Sequence, residues 1–322
     1  MMRAFALRAL AGVGVVWGVL TLVFVLLRAA PGDPAALLLG PNATPAQIAA
    51  QRETLGLDRP VAAQYATWMG RFATGDWGTS IVTGRPARAM LAEAWPATAR
   101  LVGVSLGLSY ALGLALGVLQ AARPGSRTDT FLSIFSVTLF ALPGYWLGLM
   151  LVMLFTYELR VLPAFGAAGL DAEFLNPAAK AADMLRHLAL PAATLALIGL
   201  GGIARFVRGA MSDVSGSLFL TVARAKGLSP RTVLVRHALR NALVPVLALL
   251  GLSLPALFSG AVFVEAIFAW PGVGRVLVDG VVARDYPVVL AATGVSAALV
   301  VAGGLLADLL TAWADPRIRH AG

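Results

Sequence analysis

The sequence contains no cysteine, two lysines and three histidines among its 322 residues. A chain without cysteine can form no disulfide, no cysteine-ligated zinc site, no iron–sulfur cluster and no thiol nucleophile. Neither Lys180 nor Lys226 lies in a Gly-Lys-Ser/Thr sequence, so the chain has no phosphate-binding loop of the Walker A type. The histidines are far apart and lack the spacing of metal ligands. We therefore expect no catalytic residue, metal or cofactor in this chain.

Charge is also scarce, because 13% of the residues are charged and 59% are hydrophobic. Soluble domains carry about 25% charged residues. The mean hydropathy of +0.82 therefore predicts a polytopic membrane protein rather than a soluble enzyme. A net charge of +9 would suggest nucleic acid as the partner of a soluble protein, but in a membrane protein it must first be compared with the charge of the loops.

Six stretches are apolar, uncharged and about as long as a membrane span, which needs roughly 20 helical residues. Helix is required because unpaired backbone groups are not tolerated in lipid. The first stretch is predicted to be an uncleaved anchor, since Arg28 stands where a signal peptidase would need a small residue. The third must tilt, kink or emerge, because it is 28 residues long. The predicted fold is all-α with six transmembrane helices, in the stretches 9–27, 101–122, 130–157, 188–204, 241–264 and 286–307.

The loops differ in charge from one side of the membrane to the other. If the N-terminus is inside, the inner segments hold 13 basic and three acidic residues, whereas the outer segments hold 12 of each. An excess of basic residues marks the cytoplasmic side. Both termini are therefore predicted to be cytoplasmic, and the high net charge needs no nucleic acid to explain it.

The first outer loop is too long to be a plain connection and should be structured. Thr44 and Gln47 have the spacing of a capping box, and Gly56 is a suitable residue to end the helix that follows. A second, amphipathic helix is predicted to follow Pro60. We interpret its aromatic residues as part of a structural cap rather than a substrate site; they are Tyr65, Trp68 and Phe72.

Two motifs resemble enzyme sites but lie inside predicted spans. Residues 103–107 match the serine nucleophile elbow, and residues 199–204 match a dinucleotide fingerprint, yet both lack the required preceding strand. The pattern at 103–107 belongs instead to two glycine pairs of four-residue spacing, typical of close helix packing: Gly103/Gly107 and Gly113/Gly117. No charge lies in the middle of any span, which argues against a proton-coupled carrier.

The longest inner loop, at residues 209–241, is also the most basic one. Two short helices are predicted in it. Ser215 or Ser217 would cap the first, which has one face formed by Leu218, Val222 and Ala225. Gly227 would end this helix, and Ser229 would cap the second, with Pro230 in its first turn. A basic loop could do no more than fix the membrane topology and contact lipid headgroups. A folded elbow with small residues instead favours docking of another protein.

This elbow resembles the cytoplasmic loop of permeases of binding-protein-dependent ABC importers. Aligned on Gly227, residues 221–223 occupy the three positions of the family's EAA motif, and only Ala223 matches. The peptide-type variant agrees better, with ARAKGL at 223–228 and RHALRNALVP at 236–245. Further similar stretches are LRAAPGDP at 27–34, LGLDRP at 55–60, GDWG at 75–78, FAWPGVG at 268–274, RDYP at 284–287 and the segment 306–319 with DPR.

The resemblance implies the fold of type I ABC importer permeases, in the B-type subunit of the dipeptide, oligopeptide and nickel group. It implies a bacterial inner-membrane heterodimer with a second, similar permease, two cytoplasmic ATPases that hold ATP and magnesium, and an extracytoplasmic solute-binding protein. The cargo stays open among dipeptides, longer peptides, nickel chelates, glutathione and oligosaccharides. A secondary transporter or channel, and a membrane hydrolase using Ser105, are the alternatives.

The resemblance also implies a division of the chain and a set of contact residues. An N-terminal span at 1–30 would precede an outer segment at 31–98 and a permease core at 99–322, with spans near 99–122, 130–157, 188–208, 241–264 and 286–311 and a coupling loop at 209–240. Contacts to the ATPase are expected from Thr221, Ala223, Arg224, Ala225, Lys226, Gly227, Leu228 and Ser229. Contacts to substrate or binding protein are expected from Asp33, Glu265, Trp270 and Asp279.

Overall fold

The computed structural model describes residues 2–29, 32–40, 42–54 and 56–314, and most of them are helical. The helices are α1 Met2–Ala29, α2 Pro34–Leu39, α3 Pro45–Thr54, α4 Val61–Ala73, α5 Ala87–Ala122, α6 Arg127–Ala141, α7 Gly144–Val152, α8 Pro177–Ser215, α9 Leu218–Ala225, α10 Pro230–Thr232, α11 Arg240–Ile267, α12 Val273–Val282 and α13 Tyr286–Ala314. Wider π-helical turns, Met153–Glu158 and Val233–Leu239, follow α7 and α10. Each of the six predicted apolar stretches lies in these elements. We call the end that carries α2–α4 the outer end and the end that carries α9 and α10 the inner end.

Four helices of the described chain, α1, α5, α8 and α13, are long and apolar enough to cross a membrane. The predicted third span is broken into two arms, Arg127–Ala141 and Gly144–Glu158. The chain direction bends by 103° between them. Leu142 before the break is extended, as expected of a residue that precedes proline, and Pro143 cannot continue a helix. The predicted fifth span lies in α11, whose 28 residues extend roughly 42 Å.

The centre of the molecule is the contact between α5 and α8. A Cβ atom at Gly113 would lie 2.7 Å from the Ile203 side chain, and one at Gly117 would lie 2.7 Å from the carbonyl oxygen of Ala204. Such close approach is the reason for small residues at helix interfaces in membranes. A Cβ atom at Gly103 or at Gly107 would meet no neighbour within 4 Å. Only the second of the two predicted glycine pairs therefore lies at this contact.

The outer cap consists of α2–α4 and the turn at 74–86, and it rests on α1 and α13. Its aromatic residues form a continuous stack from α1 to the turn, with neighbouring ring centroids 5.3–6.4 Å apart: Phe24, Tyr65, Trp68, Phe72 and Trp77. The hydroxyls of Tyr65 and Thr21 are 2.7 Å apart. The aromatic residues of α4 thus pack on the first span. This packing agrees with their interpretation as part of a structural cap.

The capping box predicted at the start of α3 and the glycine predicted at its end are confirmed. The backbone N–H of Thr44 donates to Gln47 Oε1 at 2.8 Å, and that of Gln47 donates to Thr44 Oγ1 at 3.3 Å. This is the reciprocal capping box that the sequence predicts at the start of α3. Gly56 follows α3 with φ of +65°, a conformation that only glycine adopts without strain.

Candidate functional site

The inner elbow consists of α9, the turn at 226–229 and α10. At its corner the N–H of Gly227 donates to Arg224 O at 2.9 Å, and that of Leu228 donates to Ala223 O at 3.4 Å. These two bonds form a Schellman motif, and Gly227 has the left-handed φ of +77° that the motif needs. Ser229 then caps α10 by accepting from the N–H of Thr232. The predicted helix–glycine–helix structure is confirmed. The predicted serine cap of α9 is not, because Ser217 is at the N-cap position without a side-chain capping bond and the Ser215 hydroxyl donates to the carbonyl oxygen of Met211.

One face of the elbow packs on the rest of the chain. Leu220 and Ala223 are 1% and 6% exposed and share a core cluster with residues of α8 and of the segment after α10: Ile203, Val207, Met211, Val233, Ala238, Ala242 and Val246. The elbow is therefore a folded part of the bundle. Ala223, one of the residues expected to contact the ATPase, is buried in this cluster.

The opposite face of the elbow is exposed and partly apolar. Leu218 and Val222 are 79% and 46% exposed, and Phe219 and Leu228 are also exposed. The face predicted from Leu218, Val222 and Ala225 is thus the outward one. Basic side chains accompany it at Arg224 and Lys226. Of the eight residues expected to contact the ATPase, seven are exposed: Thr221, Arg224, Ala225, Lys226, Gly227, Leu228 and Ser229.

An ion pair that the sequence analysis missed anchors the inner end of α8. The guanidinium of Arg208 donates to the two carboxylate oxygens of Asp129 at 2.7 and 2.8 Å. Asp129 is buried, and it also accepts from the N–H of Gly125 at 2.9 Å. This bidentate pair ties the start of α6 to the helix on which the elbow packs. The only signal for it was a lone acidic residue in a basic inner connection.

At the outer end, Asp33 is a structural cap. Its carboxylate accepts from the N–H of Ala35 at 3.0 Å, at the start of α2, and from Arg52 Nη1 at 2.7 Å. The hydrogen bond from Arg52 holds the pKa of Asp33 below its ordinary value. Arg52 also pairs with Asp58, so α2, α3 and the turn after α3 share one polar network.

Glu265 is fully buried at the outer end of α11. It accepts from Thr98 Oγ1 at 2.7 Å and from the N–H of Gly274 at 2.6 Å, and therefore joins α5 to the first turn of α12. Carboxylates are favourable at such a helix N-terminus. A side chain at Gly272 would clash with this carboxylate, which explains why the turn before α12 has glycine there.

The other two outer residues differ in environment. Trp270 is fully buried, and its Nε1–H donates to the carbonyl oxygen of Ala97 at 2.9 Å. Asp279 is exposed and lies 3.5 Å from Arg275 on the same helix. The structure brings Glu265 and Trp270 together, because the N–H of Trp270 donates to the carbonyl oxygen of Glu265 at 2.9 Å and both side chains bond to α5. Asp279 is the exposed member of the set.

The motifs that resemble enzyme sites are ordinary helix in the structure. Ser105 is buried in α5, and its hydroxyl donates to the carbonyl oxygen of Leu101 at 2.7 Å. Residues 199–204 lie within α8. Among the described residues, no group of three or more acidic or histidine side chains could hold a metal ion.

Comparison with known proteins agrees with this architecture. The family model described as binding-protein-dependent transport system inner membrane component matches residues 113–320. A second model, for the N-terminal part of such membrane components, matches residues 1–101. The chain belongs to this family. It is a membrane-spanning permease component, and the two models together cover both the outer cap and the helices that carry the elbow.

Relatives of this permease align over nearly its whole length. The oligopeptide transport system permease protein AppB of Bacillus subtilis is 40% identical over 314 residues, covering 97% of this chain and 98% of that one. The di/tripeptide transport system permease protein DppB of Pseudomonas aeruginosa is 38% identical, covering 94% and 95%. A probable D,D-dipeptide transport system permease protein, DdpB of Escherichia coli, is 37% identical and covers 96% and 95%.

A solved structure shows the same fold. A chain of the MetNI methionine ABC transporter in an inward-facing conformation matches with a TM-score of 0.54 and 18% identity. The match covers 73% of the permease and 97% of that chain. The fold expected from the sequence, that of an ABC importer permease, is therefore confirmed.

Proposed function

We propose that this permease forms half of the translocation pathway of an ATP-driven importer for short peptides. A second, similar permease completes the pathway, two ATPases dock on the inner end, and a solute-binding protein delivers cargo to the outer end. Both termini are cytoplasmic. ATP and magnesium are held by the ATPases, since this chain has no Walker A sequence.

The observation that carries the proposal is the two-faced elbow. Its inner face, with Leu220 and Ala223, is buried in one core cluster with residues of α8 and α11, so a force on the elbow is transmitted to the bundle. Its outer face exposes Leu218, Phe219 and Val222. Apolar side chains clustered on the surface of a folded element are typical of a protein interface. An ATPase groove of matching shape, with acidic groups for Arg224 and Lys226, is the partner that this surface fits.

The charge distribution supports a cytoplasmic position for the elbow. The Asp129–Arg208 pair places the basic α5–α6 connection beside the end of α8, so the two basic inner connections lie at the same end. Basic residues concentrate in cytoplasmic loops. Peptide cargo is supported by the relatives, several of which are named as permeases for oligopeptides or dipeptides.

The test is a Val222→Asp variant in the reconstituted importer. It puts a charge into the exposed apolar face without disturbing the buried one. We expect peptide uptake and cargo-stimulated ATP hydrolysis to fall at least tenfold, because burying an unpaired carboxylate at an interface costs more than about 1.4 kcal/mol. Thr128→Asp, which adds the same charge at an exposed position in the first turn of α6, should leave both activities close to normal.

Co-purification of the ATPases separates docking from folding. Val222→Asp should assemble with the second permease and lose the ATPases. Full uptake by this variant, or uptake driven by an ion gradient without ATPases, would contradict the proposal and favour a secondary transporter. Ala223→Trp is not a docking test, because Ala223 is buried and the larger side chain would be forced into the core cluster.

A further inference from the structure

A cavity lies at the outer end of the described chain, beside the first span. It has a volume of about 520 Å³ and is bordered by α1, α3, α4, the turn after α4 and the start of α13. None of its lining residues comes from α5–α12. The cavity is thus separated from the α5–α8 contact at the centre of the bundle, and it lies at the edge where α1 borders lipid.

The cavity has an apolar floor and a charged rim. Phe24, Leu27 and Leu290 line it together with the indoles of Trp68 and Trp77. The rim carries charges of both signs, from Arg28, Arg59, Arg71, Glu53 and Asp76. Among the described residues, none of these five takes part in an ion pair, unlike Arg52 in the neighbouring network. Three guanidinium groups around one cavity are suited to an anionic group such as a phosphate.

Two polar atoms of lining residues also lack partners. Trp68 Nε1 and Tyr286 Oη are buried without a hydrogen bond in the described part of the chain. Buried donors are nearly always satisfied in folded proteins, so an unsatisfied pair beside one cavity indicates a missing polar partner. A ligand with several oxygen atoms would supply it.

The surroundings of the cavity favour an amphiphile over a soluble ion. Below the charged rim, the cavity has an apolar floor that includes Phe24, Leu27 and Leu290. Acyl chains can cover such a surface, while a headgroup occupies the charged cavity above it. Glu53 and Asp76 oppose a purely anionic ligand and favour one that also carries an ammonium group.

We propose that this cavity binds the headgroup of a zwitterionic phospholipid from the leaflet at the outer end. The phosphate lies against Arg28, Arg59 and Arg71, and the ammonium lies toward Glu53. The bound lipid fills the gap between the outer cap and the ends of α1 and α13. A free peptide has the same pair of charges, so the experiment must distinguish the two sources.

The experiment is native mass spectrometry of the assembled importer, released from nanodiscs that contain phosphatidylethanolamine. We expect a phosphatidylethanolamine molecule to stay bound to the wild-type complex. An Arg28→Gln/Arg71→Gln variant should retain it about 30-fold more weakly, since each arginine near a lipid headgroup contributes about fivefold in affinity. Tyr286→Phe should weaken retention by about fivefold, because it removes one hydroxyl donor.

The matched control is Arg186→Gln, which removes an exposed arginine of α8 that does not line the cavity. Equal lipid retention by wild type, the double variant and the control would overturn the proposal. A competition experiment shows whether the bound zwitterion is a lipid headgroup or a peptide. Displacement of the lipid by trialanine would make the cavity a peptide site and overturn the lipid assignment, whereas displacement by neither trialanine nor inorganic phosphate supports it.

Discussion

The helices α1 and α8 are both long and apolar, yet they are buried to very different extents. In the most apolar part of each helix, 17% of the residues of α1 are buried inside the protein, against 61% for α8. The less buried helix, α1, is the more apolar of the two. In a membrane, hydropathy therefore reports contact with hydrocarbon, whereas burial depends on small residues that let backbones approach.

The largest effect on stability is expected for Gly117→Leu, which puts a side chain into the α5–α8 contact. A Cβ atom there would meet Val207 at 2.6 Å and the carbonyl oxygen of Ala204 at 2.7 Å. We expect a loss of about 3 kcal/mol in the free energy of unfolding, at the upper end for overpacking, because a backbone carbonyl cannot rotate away. Reversible denaturation in mixed micelles measures the loss.

Gly107→Leu is the matched control. It makes the same substitution on the same helix at a position with no neighbour within 4 Å. Its free energy of unfolding should stay within about 0.5 kcal/mol of that of the wild type. Equal destabilisation by the two variants would show that helix propensity, rather than the α5–α8 contact, sets the requirement for glycine.

A smaller effect is expected from Leu195→Ala in α8, compared with Leu22→Ala in α1. Leu195 is 1% exposed and Leu22 is 59% exposed. We expect Leu195→Ala to lower the free energy of unfolding by about 2 kcal/mol, the low end for a buried leucine, because lipid or detergent offers the unfolded helix an equally apolar medium. Leu22→Ala should change it little, and a loss equal to that of Leu195→Ala would contradict the contrast.

The smallest effect concerns the polar network beyond the outer end of α1. Arg52 lowers the pKa of Asp33, so the pair stabilises the fold above the ordinary aspartate range. That contribution is lost as the pH falls through the lowered pKa of the folded state. Because both side chains are partly exposed, solvent screening keeps this contribution small. Below about pH 4, the ordinary aspartate pKa, denaturation of Asp33→Asn should depend less on pH than that of the wild type.

Asp171→Asn serves as the control, since Asp171 is exposed in an outer loop. Its removal should leave the pH dependence of the free energy of unfolding unchanged. A pH dependence in Asp33→Asn identical to that of the wild type would show that Asp33 does not contribute through its ionised form.

Features with local causes were predictable. The end of α9 at Gly227, the caps at Thr44 and Ser229, and the break at Pro143 each depend on hydrogen bonds or steric limits within about six residues of chain. The face of a short helix that is buried was not predictable in the same way. In the eight-residue α9, apolar residues occur on both sides, so periodicity alone could not show that Ala223 faces the bundle and Val222 faces outward.

Contacts between distant segments were also beyond local signals. Glu265 looked like an outer loop acid, but it is a buried cap because Thr98 and Gly274, from two other parts of the chain, surround it. The same holds for Asp129, whose partner Arg208 is 79 residues away. The sequence around a carboxylate does not show which hydrogen-bond donor it will contact in the folded protein.

The sequence by itself determined that this protein is helical, crosses a membrane, carries a basic elbow on one side and resembles an importer permease. Hydropathy, charge asymmetry and turn chemistry are properties of single residues and of their near neighbours, so they can be evaluated before folding. Only the tertiary structure decided which glycines touch, which elbow face is free and which acids are buried, because packing is a relation between segments far apart in the chain.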